Sequence, residues 1–396
     1  MPNEKDRFRV FISAAEPSGD AHCAGLMTAL QSSGYDIDFV GVGGPKMAEA
    51  GCELLENTAG KAAMIYKAFS HVARFYKLIK RIRRYLTDNK VDLVIVCDSP
   101  AFNFHVAKAA KKMGIKTLFY VAPQLWAWGG WRIGKLRERC DKLCCILPFE
   151  QDWFSRRGMD VAFVGNPLLD KLQIDPTCHE KYRDFEPEKA RFALMPGSRN
   201  AEIDSLWRPM QQIALRLKQK YSAATFVTVA VDTKRQQILK EAQIPGFECQ
   251  YSVDSVNSTA GAVDFSIVAS GSATLEIAAA GCPMVIMYQS SRVLWYLLGW
   301  MMKTKYLSLV NILADRELVP EFMPNFSSIE PIVASIEKLL QDKERLGRIS
   351  SELTALTEPL AKKKACEEVA KIAVSELRMV RQAHHPERSR RIENEE

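Results

Sequence analysis

Short apolar runs alternate along most of the chain with longer segments in which apolar residues recur at helical spacing. Residues 8–15, 91–97 and 117–121 are apolar runs of strand length, and a turn and a helical segment follow the first two of them. Continuous apolar runs of this length are typical of strands that helices cover on both faces of a parallel sheet. The first half of the chain therefore predicts an α/β fold.

The second half repeats this alternation. Strands are predicted at 192–195, 224–230 and 247–251, with helices at about 202–220 and 233–242 between them, and a strand–turn–helix–strand unit follows at 266–288. At 396 residues the chain exceeds what one hydrophobic core usually serves. We therefore predict two doubly wound, Rossmann-like parallel sheets that face each other across a cleft.

The most linker-like part of the chain is the polar, proline-bearing segment 174–189, so we predict the domain boundary near 170–190. The first domain would then span residues 1–172. A helix is predicted over 329–353 and another over about 358–379. The charged tail 381–396 lacks a core pattern and is expected to be disordered, so its two histidines are not a metal site.

Composition and charge exclude several classes of protein. The 54 basic and 47 acidic residues leave a net charge of +7, too mild a balance to indicate a nucleic-acid-binding protein. The ten cysteines are scattered without zinc-finger spacing, which favours reduced thiols. The N-terminus lacks an apolar core of signal-peptide length, and no apolar run approaches the length of a membrane span. We expect a cytosolic protein that can still contact a membrane.

Two turns of small residues in the second half indicate a phosphate site. An apolar run ends in Ser270-Gly271-Ser272 before a helical segment, and another ends in Pro196-Gly197-Ser198-Arg199. Small residues let a ligand approach the backbone, free N–H groups at a helix start favour an anion, and the arginine fork suits phosphate. Together the turns predict a nucleotide diphosphate site. The glycines at 41–44 lack the spacing of a dinucleotide fingerprint, so NAD is excluded there.

Several side chains in the first half are candidates for chemistry, each with a structural alternative. Asp98 ends the apolar run 91–97, where ligands bind in open α/β sheets, so it is either a general base or a hydrogen-bonding partner of its turn. Trp126 and the nearby Trp128 either fill the core or form an aromatic wall. Ser18 or Asp20 would cap the first helix. His105 is expected to pack or cap.

Two segments combine apolar and basic residues. Residues 61–86 show apolar residues at helical spacing with lysine and arginine between them, which predicts a basic amphipathic helix. This helix lies either on an anionic bilayer or on its own sheet. Residues 292–305, rich in aromatic side chains and flanked by cations, are either an interfacial segment or a buried helix or dimer contact.

The motifs EPSGD, CDSPAFN, PQLWAW, LPFE, VGNPL, LMPGSR, SGSATLE and RELVPE occur in this order. Their combination resembles the lipid-A-disaccharide synthase family of GT-B glycosyltransferases over residues 8 to 375. The resemblance implies transfer of 2,3-diacylglucosamine from its UDP derivative to 2,3-diacylglucosamine 1-phosphate, without a cofactor or metal. It also implies a second domain over 173–353 and a helix over 354–380 that packs back on the first domain or exchanges within a homodimer.

The resemblance assigns roles to individual residues. Asp98 would be the catalytic base, with Glu16 as the alternative. The residues expected to bind the UDP-sugar are Gly197, Ser198, Arg199, Ser270, Gly271, Ser272, Thr274, Glu276 and Asn311. Those expected on the acceptor side are Glu16, Ser18, Gly19, Asn103 and Trp126. Membrane contact, on the cytoplasmic face of the inner membrane, is expected from Met64, Ile65, Phe69, Val72, Phe75, Arg81 and Arg84.

Some positions depart from the family pattern, and other functions remain open. Ala15 and Cys23 stand where glycine is common, and Asn166 replaces a histidine, which removes any protonation role there. A UDP-N-acetylglucosamine epimerase or a transferase of soluble sugars would use the same phosphate turns, but neither accounts for the hydrophobic and basic segments. A non-enzymatic lipid-binding protein with an inherited nucleotide fold is the alternative from another class.

Overall fold

The computed structural model describes residues 7–58, 70–290, 295, 299 and 302–384. The chain forms two compact units. The first consists of the chain up to Asp170 together with the chain from Lys362 onward, and the second of Lys171–Ala361. The prediction of two doubly wound parallel sheets is confirmed, one sheet in each unit.

The first unit contains a seven-stranded parallel sheet with the order β3-β2-β1-β4-β5-β6-β7. Its strands are β1 (Arg7–Ala14), β2 (Asp36–Gly43), β3 (Glu53–Asn57), β4 (Leu93–Cys97), β5 (Lys116–Tyr120), β6 (Lys142–Cys145) and β7 (Val161–Phe163). Cys97, the last residue of β4, pairs with Ala14 on one side and with Tyr120 on the other. The residues that follow β1, β4 and β5 therefore emerge side by side at the carboxyl edge.

Helices cover both faces of this sheet. They are α1 (Pro17–Gln31), α2 (Pro45–Glu49), α3 (Ser70–Asp88), α4 (Pro100–Lys112), α5 (Ile133–Arg139), α6 (Pro148–Ser155) and the C-terminal α14 (Ala365–His384). One core layer joins the sheet to α1 and α14, and the other joins it to α3, α4, α5 and α6. The last helix of the described part, α14, is therefore part of the first unit.

The second unit contains a six-stranded sheet with the order β10-β9-β8-β11-β12-β13. Its strands are β8 (Arg191–Met195), β9 (Thr225–Ala230), β10 (Gln250–Val253), β11 (Phe265–Ala269), β12 (Met284–Met287) and β13 (Glu321–Phe322). Its helices are α7 (Asn200–Lys220), α8 (Thr233–Glu241), α9 (Val256–Ala262), α10 (Ala273–Ala279), α11 (Leu309–Ala314), α12 (Glu330–Leu340) and α13 (Lys343–Lys362). Trp207 and Phe192 are fully buried in its core.

The structure corrects three expectations about the chain between and after the sheets. The linker-like segment contains the short 3-10 helices Cys178–Tyr182 and Pro187–Lys189, and fully buried Tyr182 donates a hydrogen bond to the carbonyl oxygen of Asp264. The segment is therefore packed into the second unit. The helix predicted over 329–353 is interrupted between Leu340 and Lys343. Helix α14 continues to His384, four residues into the predicted tail, and residues 385–396 lie outside the described part.

The ten cysteines are free thiols, as predicted, and seven of them are buried. Within the described ranges, the chain has no helix with both the length and the apolar character needed to cross a bilayer.

Candidate active site

Asp98 and Ser99 directly follow β4 and have left-handed backbones, with φ of 50° and 43°. The Asp98 N–H donates to the carbonyl oxygen of Tyr120 at 3.0 Å, which ties the turn to the neighbouring strand β5. Val121, which follows β5, also has a positive φ of 59°. Holding a non-glycine residue in the left-handed region costs on the order of 1–3 kcal/mol. Backbone strain of this kind is concentrated at functional sites. The strained residues thus include Asp98, the candidate general base predicted from the sequence, and its neighbours at the carboxyl edge of the sheet.

The side chain of Asn103 stabilises the turn at Asp98 by hydrogen bonds to its backbone. Its side-chain nitrogen donates to the carbonyl oxygens of Cys97 at 2.8 Å and Asp98 at 2.7 Å. Its side-chain oxygen accepts from the hydroxyl of Ser13 at 2.7 Å, and the whole residue is buried. The amide groups of Asn103 are thus engaged inside the protein and position the Asp98 turn, and its place on the acceptor side stays a prediction.

The turn between β1 and α1 lies next to Asp98, because Ala14 and Cys97 are paired in the sheet. Glu16 precedes the first residue of α1 and is half-buried, and Ser18 is exposed in the first turn. Gly19 is buried, and a Cβ atom there would lie 3.4 Å from the Cβ of Ala14. The structure thus brings Glu16, Ser18 and Gly19 to the same edge of the sheet as Asp98.

Asp20 does not cap α1, contrary to the expectation from sequence, and Ser18 makes no cap either. The buried carboxylate of Asp20 instead accepts the N–H groups of Gly44, Lys46 and Met47 at 2.8, 3.1 and 3.0 Å. These are the free donors at the start of α2, so Asp20 caps a helix that begins 25 residues further along the chain.

The two tryptophans after β5 have different environments. Trp126 is only 7% exposed, its ring packs on Phe149 at 4.8 Å, and its indole N–H donates to Glu150 at 2.8 Å. Trp126 thus packs into the core, which is the first of its two predicted roles, and its place on the acceptor side stays a prediction. Trp128 is 46% exposed, and the guanidinium of Arg132 lies 4.5 Å from its ring centre.

Glu150 is a buried acid that the sequence reading did not single out. Besides the Trp126 indole, its carboxylate accepts the N–H groups of Ile146 and Leu147 at 3.1 and 3.0 Å. Burial raises the pKa of Glu150 to about 7, although these three hydrogen bonds act in the opposite direction. One feature of the sequence could have identified Glu150. It lies three residues after Leu147 at a helix start, a position typical of a capping glutamate.

In the second unit, the turn after β8 is built around Glu202. The Glu202 carboxylate accepts the N–H groups of Ser198 at 2.9 Å and Arg199 at 3.1 Å, and it lies 3.3 Å from the Arg199 guanidinium. Gly197 has a φ of 105°, and a Cβ atom there would lie 2.3 Å from a carboxylate oxygen of Glu202. The sequence reading missed Glu202. The Arg199 side chain is 74% exposed, so an anion in solvent can reach its guanidinium.

The turn after β11 presents open backbone to solvent. Gly271 and Ser272 are exposed, Ser270 is half-buried, and a Cβ atom at Gly271 would meet nothing within 4 Å. Thr274 is buried, and its hydroxyl donates to the carbonyl oxygen of Gly271 at 2.7 Å. Thr274 therefore shapes the turn, while Gly271 leaves room for a ligand.

Glu276 lies on α10, half-buried beside Asp254, which follows β10 and has a φ of 49°. Burial first, and then the negative charge of Asp254, raises the pKa of Glu276 to about 7. A carboxylate with this pKa changes its charge near neutral pH. Perturbed acids of this kind are enriched at binding and catalytic sites.

Asn311 is fully buried, and its side-chain amide is bonded inside the protein. Its side-chain nitrogen donates to the carbonyl oxygen of Val319 at 2.8 Å and to Glu321 at 3.0 Å. Its side-chain oxygen accepts the N–H groups of Leu318 and Val319 at 2.9 and 3.1 Å. Because both donors and the acceptor are engaged, Asn311 holds the loop before β13, and its contact with the UDP-sugar stays a prediction.

The predicted membrane helix is observed in part as α3. Met64, Ile65 and Phe69, and the side chain of Val72, lie outside the described residues, as does most of segment 292–305. Phe75 packs edge-on against Phe102 at 5.6 Å and His105 at 5.4 Å, so His105 is a packing residue, as expected. Arg81 lies 3.7 Å from Glu56, and Arg84 lies 3.3 Å from Asp88. Within the described ranges, no group of three His, Cys, Asp or Glu side chains could hold a metal ion.

Two doubly wound parallel sheets, each with its candidate residues on the loops after the strands, define a GT-B-type enzyme. A UDP-GlcNAc 2-epimerase from Neisseria meningitidis, solved with UDP-GlcNAc, has a TM-score of 0.60 at 13% identity, with 94% of this chain and 99% of that one covered. A spinosyn rhamnosyltransferase has a TM-score of 0.54 at 11% identity, with 92% and 99% covered. At these identities the likeness shows the fold.

The sequence comparison defines the family. Residues 10–375 match the model of the family described as lipid-A-disaccharide synthetase. The lipid-A-disaccharide synthase of Trichlorobacter lovleyi is 34% identical over 89% of this chain and 93% of its own length, and that of Vibrio campbellii is 33% identical over 85% and 90%. The chain belongs to the lipid-A-disaccharide synthase family. It is therefore a glycosyltransferase of lipid A disaccharide synthesis.

Proposed function

We propose that this enzyme transfers 2,3-diacylglucosamine from its UDP derivative to the 6-hydroxyl of 2,3-diacylglucosamine 1-phosphate. The products are the β-1,6-linked tetra-acyl disaccharide 1-phosphate and UDP. The family match over residues 10–375 supports the reaction. The observation that carries the catalytic assignment is the strained turn that presents Asp98 at the carboxyl edge of the first sheet.

The reaction inverts the anomeric carbon, so the acceptor hydroxyl attacks as a base removes its proton. Asp98 performs this step: its carboxylate takes the proton, the oxygen bonds to the anomeric carbon, and the bond to UDP breaks. The engaged amide of Asn103 fixes the backbone of Asp98, and a fixed base avoids the entropic cost of orientation. Glu16, at the same edge, is the alternative base, and Ser18 and Gly19 contribute to the acceptor side.

UDP binds to the loops of the second unit. The exposed guanidinium of Arg199 pairs with the diphosphate, supported by the Gly197–Ser198 backbone, and the open turn of Ser270, Gly271 and Ser272 lets the diphosphate approach. Ionised Glu276 accepts hydrogen bonds from the ribose hydroxyls. Donors that are already oriented toward the charge that develops on the leaving UDP lower the barrier. This mechanism uses neither a metal nor a cofactor.

The substrates carry acyl chains, so the enzyme works at a membrane surface, which the family resemblance assigns to the cytoplasmic face of the inner membrane. Membrane contact involves the basic amphipathic helix that contains Phe75, Arg81 and Arg84, together with the residues that precede it. The functional form is a homodimer in which C-terminal parts are exchanged. Chemical crosslinking of the full chain, followed by mass measurement, tests the dimer.

The experiment that tests the reaction uses purified protein, detergent, UDP-2,3-diacylglucosamine and 2,3-diacylglucosamine 1-phosphate, with lipid products resolved by mass. We expect the tetra-acyl disaccharide phosphate and one UDP per disaccharide, with and without EDTA. UDP binding without disaccharide would instead favour an epimerase or a transferase of soluble sugars. Activity that is lost in EDTA and restored by a divalent cation would overturn the metal-free mechanism.

A further inference from the structure

The loop that follows β5, residues 121–128, leaves the sheet next to the turn of Asp98. Cys97 and Tyr120 are paired in the sheet, and the Asp98 N–H donates to the carbonyl oxygen of Tyr120 at 3.0 Å. Val121, the first residue of the loop, has a left-handed backbone, as Asp98 does. Ligands of open α/β sheets bind outside the carboxyl ends of the strands. A substrate that reaches Asp98 is therefore a neighbour of this loop.

One aromatic side chain anchors the loop in the first unit. Trp126 is 7% exposed, and its ring packs edge-on against Phe149 with 4.8 Å between the ring centres. Its indole N–H donates to Glu150 at 2.8 Å. Gln124, two residues earlier, is exposed. The anchored loop thus leaves a polar amide accessible at the carboxyl edge of the sheet.

Glu150 connects this loop to the loop that follows β6. Its Oε1 accepts the indole N–H of Trp126, and its Oε2 accepts the N–H groups of Ile146 and Leu147 at 3.1 and 3.0 Å. Strands β5 and β6 are neighbours in the sheet, and the two backbone donors lie between β6 and α6. One buried carboxylate therefore joins two adjacent loops of the carboxyl edge.

The capping of α6 does not by itself account for an acid at this position. Glutamine caps a helix start as glutamate does, and it carries no charge whose burial costs stability. Glu150 is only 1% exposed, and burial raises its pKa to about 7. The second carboxylate oxygen supplies the reason for the acid, because the amide group of a glutamine that caps α6 would turn its NH2 toward the indole N–H.

We propose that Glu150 is a positioning residue for the acceptor: through Trp126 it holds residues 121–128 where the sugar head group of the acceptor binds beside Asp98. The inference rests on the proposed function and adds to it a side chain that acts without contacting the substrate. The exposed amide of Gln124 donates to oxygen atoms of the head group. A loosened loop weakens acceptor binding, whereas UDP binding, which uses the second unit, is unchanged.

Two substitutions remove the hydrogen bond between Glu150 and Trp126 in different ways. Glu150→Gln keeps an oxygen for the N–H groups of Ile146 and Leu147, and Trp126→Phe removes the indole N–H but keeps an aromatic ring next to Phe149. Each is expected to raise KM for 2,3-diacylglucosamine 1-phosphate about tenfold, with kcat within about twofold of wild type. Steady-state kinetics in detergent measure both constants, and calorimetry should show wild-type affinity for UDP.

The double variant tests whether both effects come from the same hydrogen bond. Because either substitution already removes that bond, KM of Glu150→Gln/Trp126→Phe should match the single variants and should not rise by the product of the two effects. The matched control is Asp141→Asn. Asp141 accepts the N–H of Thr117 at 2.9 Å, at the opposite end of β5, so this variant should lose stability and keep the wild-type KM for the acceptor.

Gln124→Ala tests the loop without disturbing its anchor. It changes an exposed side chain, so stability should stay at the wild-type value, while KM for the acceptor should rise about threefold or more. A wild-type KM in this variant, or in both single variants of the anchor, overturns the proposal. An equal rise of KM in Asp141→Asn, or multiplied effects in the double variant, would also overturn it.

A binding measurement separates this proposal from the proposed reaction. If wild-type protein makes no disaccharide, the proposed reaction fails. Equilibrium binding of 2,3-diacylglucosamine 1-phosphate in the same detergent then still decides the role of Glu150. We expect Glu150→Gln and Trp126→Phe to bind this lipid about tenfold more weakly than wild type and Asp141→Asn to bind it equally well. Wild-type affinity in Glu150→Gln and Trp126→Phe would overturn the positioning role.

Discussion

The side-chain nitrogen of Asn103 lies 2.7 Å from the carbonyl oxygen of Asp98 and donates a hydrogen bond to it. Asp98 has a left-handed backbone, which an aspartate adopts only at an energetic cost. The buried amide offsets that cost, and its own oxygen is held by Ser13 on β1. The backbone conformation of Asp98 is thus held by the side chain of a buried residue in the first turn of α4.

Asn103→Ala is expected to lower kcat on the order of tenfold or more with little change in KM, because a mispositioned base mainly affects the chemical step. Leaving the two carbonyl oxygens without a donor should also lower the free energy of unfolding by about 1–3 kcal/mol. Steady-state kinetics and urea unfolding measure both effects. Ser13→Ala, which removes only the bond to the Asn103 oxygen, should have a smaller effect; wild-type kcat in Asn103→Ala would rule out the positioning role.

Asp98→Asn is expected to lower turnover on the order of 100-fold or more, since the amide cannot accept the hydroxyl proton. UDP affinity, measured by calorimetry, should be unchanged because UDP binds the second unit. Glu16→Gln is the comparison variant at the same edge of the sheet. A larger loss in Glu16→Gln than in Asp98→Asn would transfer the role of base to Glu16, and parallel losses of turnover and UDP affinity would assign Asp98 to binding or folding.

Gly271→Ala tests whether a ligand approaches the turn after β11. The added methyl group meets no protein atom within 4 Å, so stability should stay within about 0.5 kcal/mol of wild type. UDP affinity should fall about tenfold or more, because the methyl group occupies space that the ligand needs. Gly261→Ala is the matched control, since Gly261 is also exposed with open space around it but lies on α9. Equal UDP affinity in both variants would exclude close approach at Gly271.

UDP affinity is expected to depend on pH through Glu276, whose pKa is raised to about 7 by burial and by Asp254. The ionised carboxylate accepts hydrogen bonds from the ribose, so affinity should weaken as the pH falls below about 7. Glu276→Gln should bind UDP more weakly than wild type at pH 8. Its UDP affinity should also change less between pH 6 and 8, a range that extends about one unit on each side of that pKa. An unchanged profile in the variant would exclude Glu276 as the titrating group.

The same raised pKa has a consequence for stability. A carboxylate with a folded pKa of about 7 and an ordinary value of 4.5 binds more protons in the folded state between these limits. The free energy of unfolding should therefore fall as the pH rises through this window, and Glu276→Gln should reduce the fall. Buried Glu150, with a pKa of about 7, contributes a similar slope in the first unit and remains intact in this variant.

Asn311→Ala is expected to lower the free energy of unfolding of the second unit by about 3 kcal/mol, because it leaves buried backbone groups without partners. Urea unfolding followed by circular dichroism measures the change. Asn200→Ala, an exposed substitution in the same unit, should stay within about 0.5 kcal/mol of wild type. Unchanged stability in Asn311→Ala, combined with lost UDP affinity, would restore Asn311 as a ligand-binding residue.

Much of the fold could be predicted because its signals are local. The apolar runs at 8–15, 91–97 and 192–195 correspond to β1, β4 and β8, and the predicted helices at 202–220 and 233–242 correspond to α7 and α8 within a few residues. The strands β3 and β13 were not predicted. Glu53–Asn57 has no fully buried residue and β13 has two residues, so neither shows the continuous apolar pattern of a central strand.

The sequence alone determined that two parallel sheets form, that Asp98 follows a central strand, and that small-residue turns follow β8 and β11. Strand patterns and turn residues are properties of short segments, which the chain carries before it folds. Only the tertiary structure decided which polar side chains remain accessible. Asn103 is bound by Ser13, 90 residues away, Trp126 by Glu150, 24 residues away, and Asp20 by the start of α2. Hydrogen-bond partners at such separations depend on packing between elements, which local periodicity does not contain.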